Sequence, residues 1–297
     1  MPGMTRSGVR SRFQARVDAS EPLVLGGAGI GLVAKAADRA GIDALMAYNT
    51  GPFRMDGHGS LAGYLAYGDS NAMTIELARQ ILPVAPSTPV IAGIGAADPY
   101  RPFGTLIDQL IGLGYSGITN VPTAGLYDGE FRKHIDATNL GYGREIELIA
   151  ECRRREVFTV AYAFSPQEAS AMAAVGADVI GAHVGLTVGG FIGAKEAAAL
   201  DEACERVAAM TAAAREANPD VWVVAHGGPF DVPENVQAVF DRVDVDGFLG
   251  ASSIERLPVE RAVQETIHDF RTLRLRASDR TSDRTPDRVD ADGTRVS

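Results

Sequence analysis

Eight short apolar runs alternate along the chain with longer segments of helical periodicity. The turns that enter the runs are short, whereas the connections that leave the second, fourth and sixth runs are much longer. The apolar character of runs such as WVVA is unbroken, which is typical of parallel strands covered on both faces. The pattern therefore predicts eight βα units. The runs are Leu23–Gly27, Ala44–Tyr48, Val90–Gly93, Ile118–Val121, Phe158–Tyr162, Val179–Ala182, Trp222–Ala225 and Gly247–Gly250.

Chain length decides how these units combine. With 297 residues and 46% hydrophobic content, the chain can bury one large core. Eight βα units close into a (β/α)8 TIM barrel of about 250 residues, and a doubly wound open sheet is the alternative. We predict a single α/β barrel over residues 21–273, after an N-terminal extension over residues 1–20 that is either flexible or a short helix plugging the barrel. Residues 274–297, with near-tandem SDR and TPDR repeats, are predicted to be a disordered tail.

Charge and composition exclude several classes of protein. A net charge of -10 argues against a nucleic-acid-binding surface. No apolar run is long enough to cross a membrane, and the N-terminus has no secretory signal, so we expect a cytoplasmic protein. Cys152 and Cys204 fall in helical patterns and are not expected to form a disulfide. The segment GGAGIG lacks the dinucleotide-binding glycine spacing, and Tyr48 and Asn49 stand where that motif has an acidic residue.

The residues at the carboxyl ends of the runs are the first candidates for a site, because this end of a TIM barrel carries the active face. They are Gly27, Asn49, Gly93, Asn120, Tyr162, His183, His226 and Ser252. His183 and His226 leave neighbouring strands, so they are expected to lie close enough to share a substrate or a metal, although one of them could be structural. Glu145 is the candidate acidic group, either as a general acid or base or as a first-turn helix carboxylate. We assign catalysis to Glu145, His183 and His226.

The seventh and eighth exits, HGGPF and GASS, predict an anion site. Glycine amides and hydroxyls occur there, where many barrels bind phosphate, and a carboxylate or sulfonate would also fit. The candidates are Gly227, Gly228, Ala251, Ser252 and Ser253. The alternative is that the glycines form a tight turn and a serine caps the last helix.

Substrate contacts are predicted from side-chain chemistry. Arg54 can bind a carboxylate in bidentate fashion, and Lys195 is one of only three lysines in an arginine-rich chain. Asn49 and Asn120 can polarise an oxygen or simply bond a loop backbone. The predicted substrate-binding set is Gly27, Asn49, Arg54, Asn120, Tyr162 and Lys195.

Several segments in order resemble one known family. They include GGAGIGLVAKAADRAG, AYNTGPFRM, NVPTAGLYDGEFR, AHVGLTVGGFIGAK and DGFLGASSIERLPVE. Together they resemble the TIM-barrel family described as phosphoenolpyruvate hydrolase-like. The resemblance implies a barrel related in shape to indole-glycerol-phosphate synthase and phosphonopyruvate hydrolase. It also implies a hydrolase or lyase that acts on a small anionic oxo acid or phosphorylated enol.

This sequence departs from the enzymes that the resemblance suggests. Magnesium-dependent relatives of the phosphoenolpyruvate mutase type hold the metal with acidic residues near strand ends, and no such cluster is found here. We therefore assign no metal ligand and no firm cofactor, and a divalent metal stays open although no acidic cluster supports it. Pro52 stands where a basic residue is expected in relatives. The predicted partners are a small anionic metabolite and further copies of the chain, and a non-catalytic metabolite-binding or regulatory barrel is the alternative function.

Overall fold

Eight parallel strands form a closed barrel in chain order in the computed structural model, which describes residues 2–275. Each strand pairs with the next, and the last strand pairs with the first. The predicted α/β barrel is thereby confirmed, and the open sheet is excluded. The strands are β1 Leu23–Gly27, β2 Ala44–Ala47, β3 Val90–Gly93, β4 Gly117–Thr119, β5 Phe158–Ala163, β6 Val179–His183, β7 Trp222–His226 and β8 Gly247–Gly250.

β4 differs from its predicted bounds. It begins at Gly117 and ends at Thr119, whereas the apolar run ends at Val121. Pro122 has no amide hydrogen with which to continue the ladder. Asn120 instead bonds to the backbone of β5 through its side chain, so the chain leaves the sheet earlier than the hydrophobic pattern suggests.

Eleven α-helices occur within residues 2–275. The described residues divide into two compact units at Glu260, and the barrel lies in the first. The helices are α1 Arg6–Asp18, α2 Gly31–Arg39, α3 Thr50–Met55, α4 Ser70–Ile81, α5 Phe103–Leu113, α6 Gly129–Ala137, α7 Tyr142–Arg154, α8 Pro166–Ala174, α9 Leu200–Ala217, α10 Pro233–Phe240 and α11 Arg256–Thr272. The predicted segment boundaries at residues 20 and 273 stay predictions, and most of the predicted disordered tail lies outside the described residues.

The inside of the barrel is filled by alternate residues of the strands, because successive side chains of a strand point to opposite faces. Leu25, Met46, Val160, Val224 and Leu249 belong to one buried cluster. The alternate residues pack outward against the helices in two further clusters. The same alternation continues to the strand ends, where the inward positions become polar. A polar layer therefore sits above an apolar interior.

The N-terminal end of the barrel is closed by α1. Phe13 is fully buried, with its ring 5.3 Å from that of Phe158 and 5.6 Å from that of Trp222. Arg6 and Arg10 of the same helix pair with the buried carboxylate of Asp178. Of the two alternatives for the N-terminal extension, the helical plug is the one observed. Only the opposite mouth of the barrel is left for a ligand.

Within residues 2–275, no helix is long and apolar enough to cross a membrane. Cys152 and Cys204 are both free thiols and both buried, as predicted.

Candidate functional site

A small cavity of about 50 Å³ opens at the carboxyl ends of the strands. This is several times the space that one water molecule needs. Its polar lining consists of two imidazoles, one guanidinium and a set of hydroxyl groups. The hydroxyls belong to Tyr48, Thr50, Ser60, Tyr64, Thr123, Tyr162, Thr187 and Ser252.

The two imidazoles come together because of strand register. His183 ends β6 and His226 ends β7, and the two residues are direct partners across the parallel ladder. Their ring centroids are 4.7 Å apart in an edge-on arrangement. Tyr162 lies against both rings, and Phe164 packs 4.6 Å from His183. The sequence prediction that these histidines share one mouth of the barrel agrees with this geometry.

Backbone hydrogen bonds give the two neutral histidines opposite tautomers. The Gly185 amide donates to Nδ1 of His183 at 3.0 Å, so that nitrogen is unprotonated and the proton of the neutral ring is on Nε2. Nδ1 of His226 lies 2.6 Å from the Leu249 carbonyl, which can only accept, so here Nδ1 carries the proton. His183 thus offers a donor at Nε2, and His226 offers an acceptor at Nε2.

Burial keeps both rings neutral at physiological pH. It lowers the pKa of His226 to about 4, although the hydrogen bond to the Leu249 carbonyl acts in the opposite direction. The pKa of His183 is lowered well below its usual value, first by burial and then by the charges of His226 and Arg206. His226 is the better proton acceptor of the two, because its protonation breaks no existing hydrogen bond, whereas protonation of His183 at Nδ1 would displace the Gly185 amide.

These shifts predict acid sensitivity of the fold. His226 titrates near 6.5 when unfolded and at about 4 when folded, so between these values the unfolded chain binds more protons. Its stabilising contribution is complete above pH 6.5 and is lost as the pH falls toward 4, a loss of roughly 3 kcal/mol. Urea unfolding at pH 7 and pH 4.5 should show this fall in wild type. A His183→Phe/His226→Phe double variant should show a smaller fall, and an equal fall in both proteins would contradict the assignment.

A buried ion pair forms one wall of the site. Arg54 on α3 and Glu255 before α11 are 3% and 0% exposed, and Arg54 Nε donates to Glu255 Oε1 at 2.5 Å. Arg54 also donates to Thr50 Oγ1 at 2.8 Å, and the Gly29 amide donates to the second oxygen of Glu255 at 2.8 Å. The pair joins the connections that follow β1, β2 and β8. Arg54 therefore reaches the cavity as predicted, but its charge is already balanced by Glu255.

Close backbone contact between two of these connections requires glycine. A Cβ atom at Gly29 would lie 2.2 Å from the carbonyl carbon of Gly51, and one at Gly51 would lie 2.7 Å from Cα of Gly29. Neither overlap can be relieved by a side-chain rotation, since both partners are backbone. The glycine-rich segment after β1 thus permits close loop packing beside the ion pair.

Glu145 lies behind the cavity lining rather than in it. Its carboxylate accepts hydrogen bonds from Asn120 Nδ2 at 2.6 Å, Thr123 Oγ1 at 2.7 Å and the Ala124 amide at 2.6 Å. Burial raises its pKa to about 8, against the effect of these three donors. The group holds the connection after β4 in place, and its assignment as a catalytic acid or base stays a prediction.

Other predicted substrate contacts are used by the protein itself. Asn49 donates to the Gly63 carbonyl at 2.6 Å, and the Asn120 amide oxygen accepts from the Tyr162 backbone. Neither asparagine lines the cavity, and Gly27 does not line it either. Lys195 is exposed and is also absent from the lining. Of the six predicted substrate-binding residues, Arg54 and Tyr162 are the two that the structure brings to the cavity.

The predicted anion site is only partly assembled. Ala251 and Ser252 line the cavity, whereas Ser253 lines a separate apolar groove on the outside of the barrel. The Gly228 amide donates to the Gly185 carbonyl at 2.9 Å, so it has no free hydrogen for an anion. At Gly227 φ is +79°, and a Cβ there would lie 2.1 Å from the same carbonyl oxygen. The anion assignment stays a prediction, with Ala251 and Ser252 as the members placed to serve it.

Several lining residues were missed by the sequence analysis. Tyr48 directly follows β2, and burial raises the pKa of its hydroxyl. Its position as the last inward residue of that run is the signal that identifies it, whereas the neighbouring Asn49 bonds to the Gly63 carbonyl. Tyr64 and Thr187 lie within connections, where no periodic pattern indicates which side chain turns inward. The same holds for Glu255, which does not line the cavity but holds Arg54 beside it.

The closed barrel and the cavity at its carboxyl end define a TIM-barrel protein with a candidate ligand site at the strand ends. The profile of the family described as phosphoenolpyruvate hydrolase-like matches residues 8–273. The chain belongs to this family.

Curated relatives are much longer proteins. The ToMV susceptible protein tm-1(GCR26) of Solanum lycopersicum is 43% identical over 268 residues, which cover 90% of this chain and 36% of that protein. The putative transcriptional regulatory protein y4pA of Sinorhizobium fredii is 30% identical over 274 residues, covering 92% of this chain and 45% of that protein. The chain spans less than half the length of these relatives.

Solved structures resemble the chain in fold. Phosphonopyruvate hydrolase in complex with oxalate and Mg²⁺ has a TM-score of 0.57 at 19% identity, over 89% of this chain and 87% of that one. A 2,3-dimethylmalate lyase has a TM-score of 0.55 at 18% identity, over 96% of this chain and 93% of that one. Oxaloacetate acetylhydrolase has a TM-score of 0.54 at 18% identity, over 90% and 87%. At this identity the likeness concerns the fold alone.

Proposed function

We propose that the chain is an enzyme of the hydrolase or lyase type that acts on a small anionic oxo acid or phosphorylated enol. The observation that carries the proposal is the pair of neutral histidines at the cavity wall, one with an acceptor nitrogen and one with a donor nitrogen. The names of the structural neighbours, which include hydrolases and a lyase of small oxo or hydroxy acids, support the same reaction class.

The chemistry assigned to the site follows from these nitrogen atoms. His226 Nε2 accepts a proton from the substrate, while the Nε2–H group of His183 donates a hydrogen bond to the oxygen that gains negative charge. Tyr48 and Tyr162 stay protonated at neutral pH, because burial raises the pKa of both hydroxyls, and they can add further donors. Arg54 contributes a guanidinium whose position is held by Glu255.

A magnesium ion does not fit these donors. Mg²⁺ takes carboxylate and other oxygen ligands, and no group of three His, Cys, Asp or Glu side chains able to hold a metal occurs in residues 2–275. Glu255 is bound to Arg54, and Glu145 is bound to three donors. A histidine that ligates a metal usually donates its other N–H group, whereas Nδ1 of His183 accepts. No step of the proposed chemistry passes through a metal.

A panel of oxo acids and phosphorylated enols tests the proposal, with product formation followed by NMR. At least one compound should be turned over by the wild type, and the rate should fall strongly when His183 or His226 is replaced. Glu145→Gln is the comparison, and it should retain more activity if Glu145 only positions the β4 connection. Turnover that survives unchanged in the His183→Ala/His226→Ala double variant would disprove the assigned roles.

A metabolite-binding or regulatory barrel is the second candidate. It is favoured by the names of the curated relatives, which describe a ToMV susceptible protein and a putative transcriptional regulatory protein. Binding of a panel compound without turnover would support this candidate over the first.

We also propose a cytoplasmic location, because the two free, buried thiols suit a reducing compartment.

We propose further that the chain forms a homo-oligomer. The second compact unit carries exposed apolar residues at helical spacing, namely Val263, Ile267, Phe270 and Leu273. The same helix carries both acidic and basic residues, so two copies can place opposite charges side by side. Light scattering should give a multiple of the 31.3 kDa chain mass for the wild type and a single chain for Ile267→Glu.

A further inference from the structure

Each of the two cavity histidines has one ring nitrogen, Nε2, without a hydrogen-bond partner among the described residues. Nδ1 of His183 and Nδ1 of His226 are bound to backbone groups, while no residue between 2 and 275 forms a hydrogen bond with either Nε2. Both rings line the cavity, and Nε2 is the nitrogen of each ring that the backbone leaves unpaired, so it is the nitrogen available to a ligand. A buried donor and a buried acceptor that a ligand leaves unpaired reduce its affinity.

The backbone prevents the two rings from exchanging these roles. Turning the His183 ring over would take Nδ1 away from the Gly185 amide, and turning the His226 ring over would take Nδ1 away from the Leu249 carbonyl. Both partners are main-chain groups of the barrel exits, which cannot rotate to compensate. The donor therefore stays on the β6 side and the acceptor on the β7 side.

The charge at this wall selects against a second anionic group. Both imidazoles are neutral, and the one guanidinium that lines the cavity is neutralised by Glu255. A carboxylate has only acceptor oxygens, so it would pair with the His183 donor but would face the lone pair of His226 Nε2. A group with one carbonyl oxygen and one hydroxyl satisfies both nitrogens.

We propose that the two histidines bind a hydroxyl and a carbonyl on adjacent carbon atoms, as in a 2-hydroxy ketone. The carbonyl oxygen accepts from His183 Nε2–H, and the hydroxyl donates to His226 Nε2. Ring centroids 4.7 Å apart allow one small unit to meet both nitrogens. A carboxylate elsewhere on such a substrate then pairs with hydroxyl groups of the cavity lining, among them that of Ser252. The inference rests on the proposed function only because both place the ligand in the same cavity.

The tautomers are tested first, without any ligand. Long-range ¹H–¹⁵N spectra of the full-length protein labelled at histidine nitrogen show all five of its histidines. The ring signals lost in His183→Phe should be those of an Nε2-protonated ring, and the signals lost in His226→Phe those of an Nδ1-protonated ring. Phenylalanine keeps the aromatic packing beside Tyr162 and Phe164. The same tautomer in both rings would overturn the proposal.

Binding is tested with two matched probes, hydroxyacetone and methoxyacetone. In the second, a methyl group replaces the hydroxyl hydrogen. Hydroxyacetone should shift both Nε2 resonances and bind at least about tenfold more tightly than methoxyacetone, because the ether leaves His226 unpaired. His226→Phe should abolish this difference, whereas His183→Phe should weaken both probes equally. Equal binding of the two probes to the wild type, or no shift with either, would overturn the proposal.

The outcomes separate the two hypotheses. If no oxo acid is turned over but the probes behave as expected, the proposed function fails and the binding inference stands. If histidine-dependent turnover is found while methoxyacetone binds as well as hydroxyacetone, the function stands and the binding inference fails.

Discussion

Replacing His226 with phenylalanine should lower kcat/KM by about 10²–10⁴-fold for any compound that the wild type converts, the range expected when a positioned base is removed. The ring would still pack 5.0 Å from Tyr162, so the loss would reflect the nitrogen and not the shape of the cavity. His183→Phe should cost about 10²–10³-fold, because it removes a hydrogen-bond donor rather than the proton acceptor.

The pH dependence of kcat/KM is an independent test of His226 as the proton acceptor. With a pKa of about 4, His226 is unprotonated throughout the neutral range, so kcat/KM should fall only on the acid side as the ring gains a proton. The exposed residue His134 provides the control, and His134→Phe should leave the rate unchanged. Steady-state kinetics with the purified wild type and variants measure the losses at His226 and His183, the pH dependence and the unchanged rate of His134→Phe. A wild-type kcat/KM in His226→Phe would show that His226 is not the proton acceptor.

Glu255→Ala should destabilise the fold by about 3–5 kcal/mol, because it leaves the Arg54 guanidinium buried without a counter-charge. The surface pair of Arg242 and Asp201 is the matched control, with side chains 48% and 81% exposed. Asp201→Ala should cost no more than about 1 kcal/mol, since water screens that pair. Urea unfolding of the two variants gives the comparison directly.

A third variant separates charge from packing. Arg54→Met/Glu255→Met removes both charges while keeping side chains of similar length, so it should recover much of the stability lost in Glu255→Ala. It should still weaken ligand binding, because the pair joins the connections around the cavity. The ion pair would lose its proposed role if Glu255→Ala cost no more than Asp201→Ala.

Much of the fold and part of the site could be predicted from local pattern. The eight apolar runs match the strands within a few residues, because a strand covered on both faces must be apolar along its length. The end of β4 was placed too late, since Asn120, Val121 and Pro122 leave the ladder for reasons that hydrophobicity does not report. His183 and His226 were found because each directly follows an apolar run, and register then makes them neighbours.

Long-range contacts limited the remaining assignments. Arg54 was predicted to hold a carboxylate of the substrate, yet it holds that of Glu255, which lies 201 residues away in the chain. The side chains of Asn49 and Asn120 bond the backbone, which was the alternative left open for them. Lys195 was predicted from composition, and composition does not indicate where a side chain lies relative to the cavity.

The sequence by itself determined the number of βα units, the end of the barrel that carries the site and the two histidines, because burial and strand exits leave local, periodic traces. Only the tertiary structure decided what those histidines can do. Their tautomers depend on the Gly185 amide and on the Leu249 carbonyl, the second of which belongs to a different strand. Their neutrality depends on burial by the whole barrel. Such hydrogen bonds and desolvation arise between distant segments, so no local pattern records them.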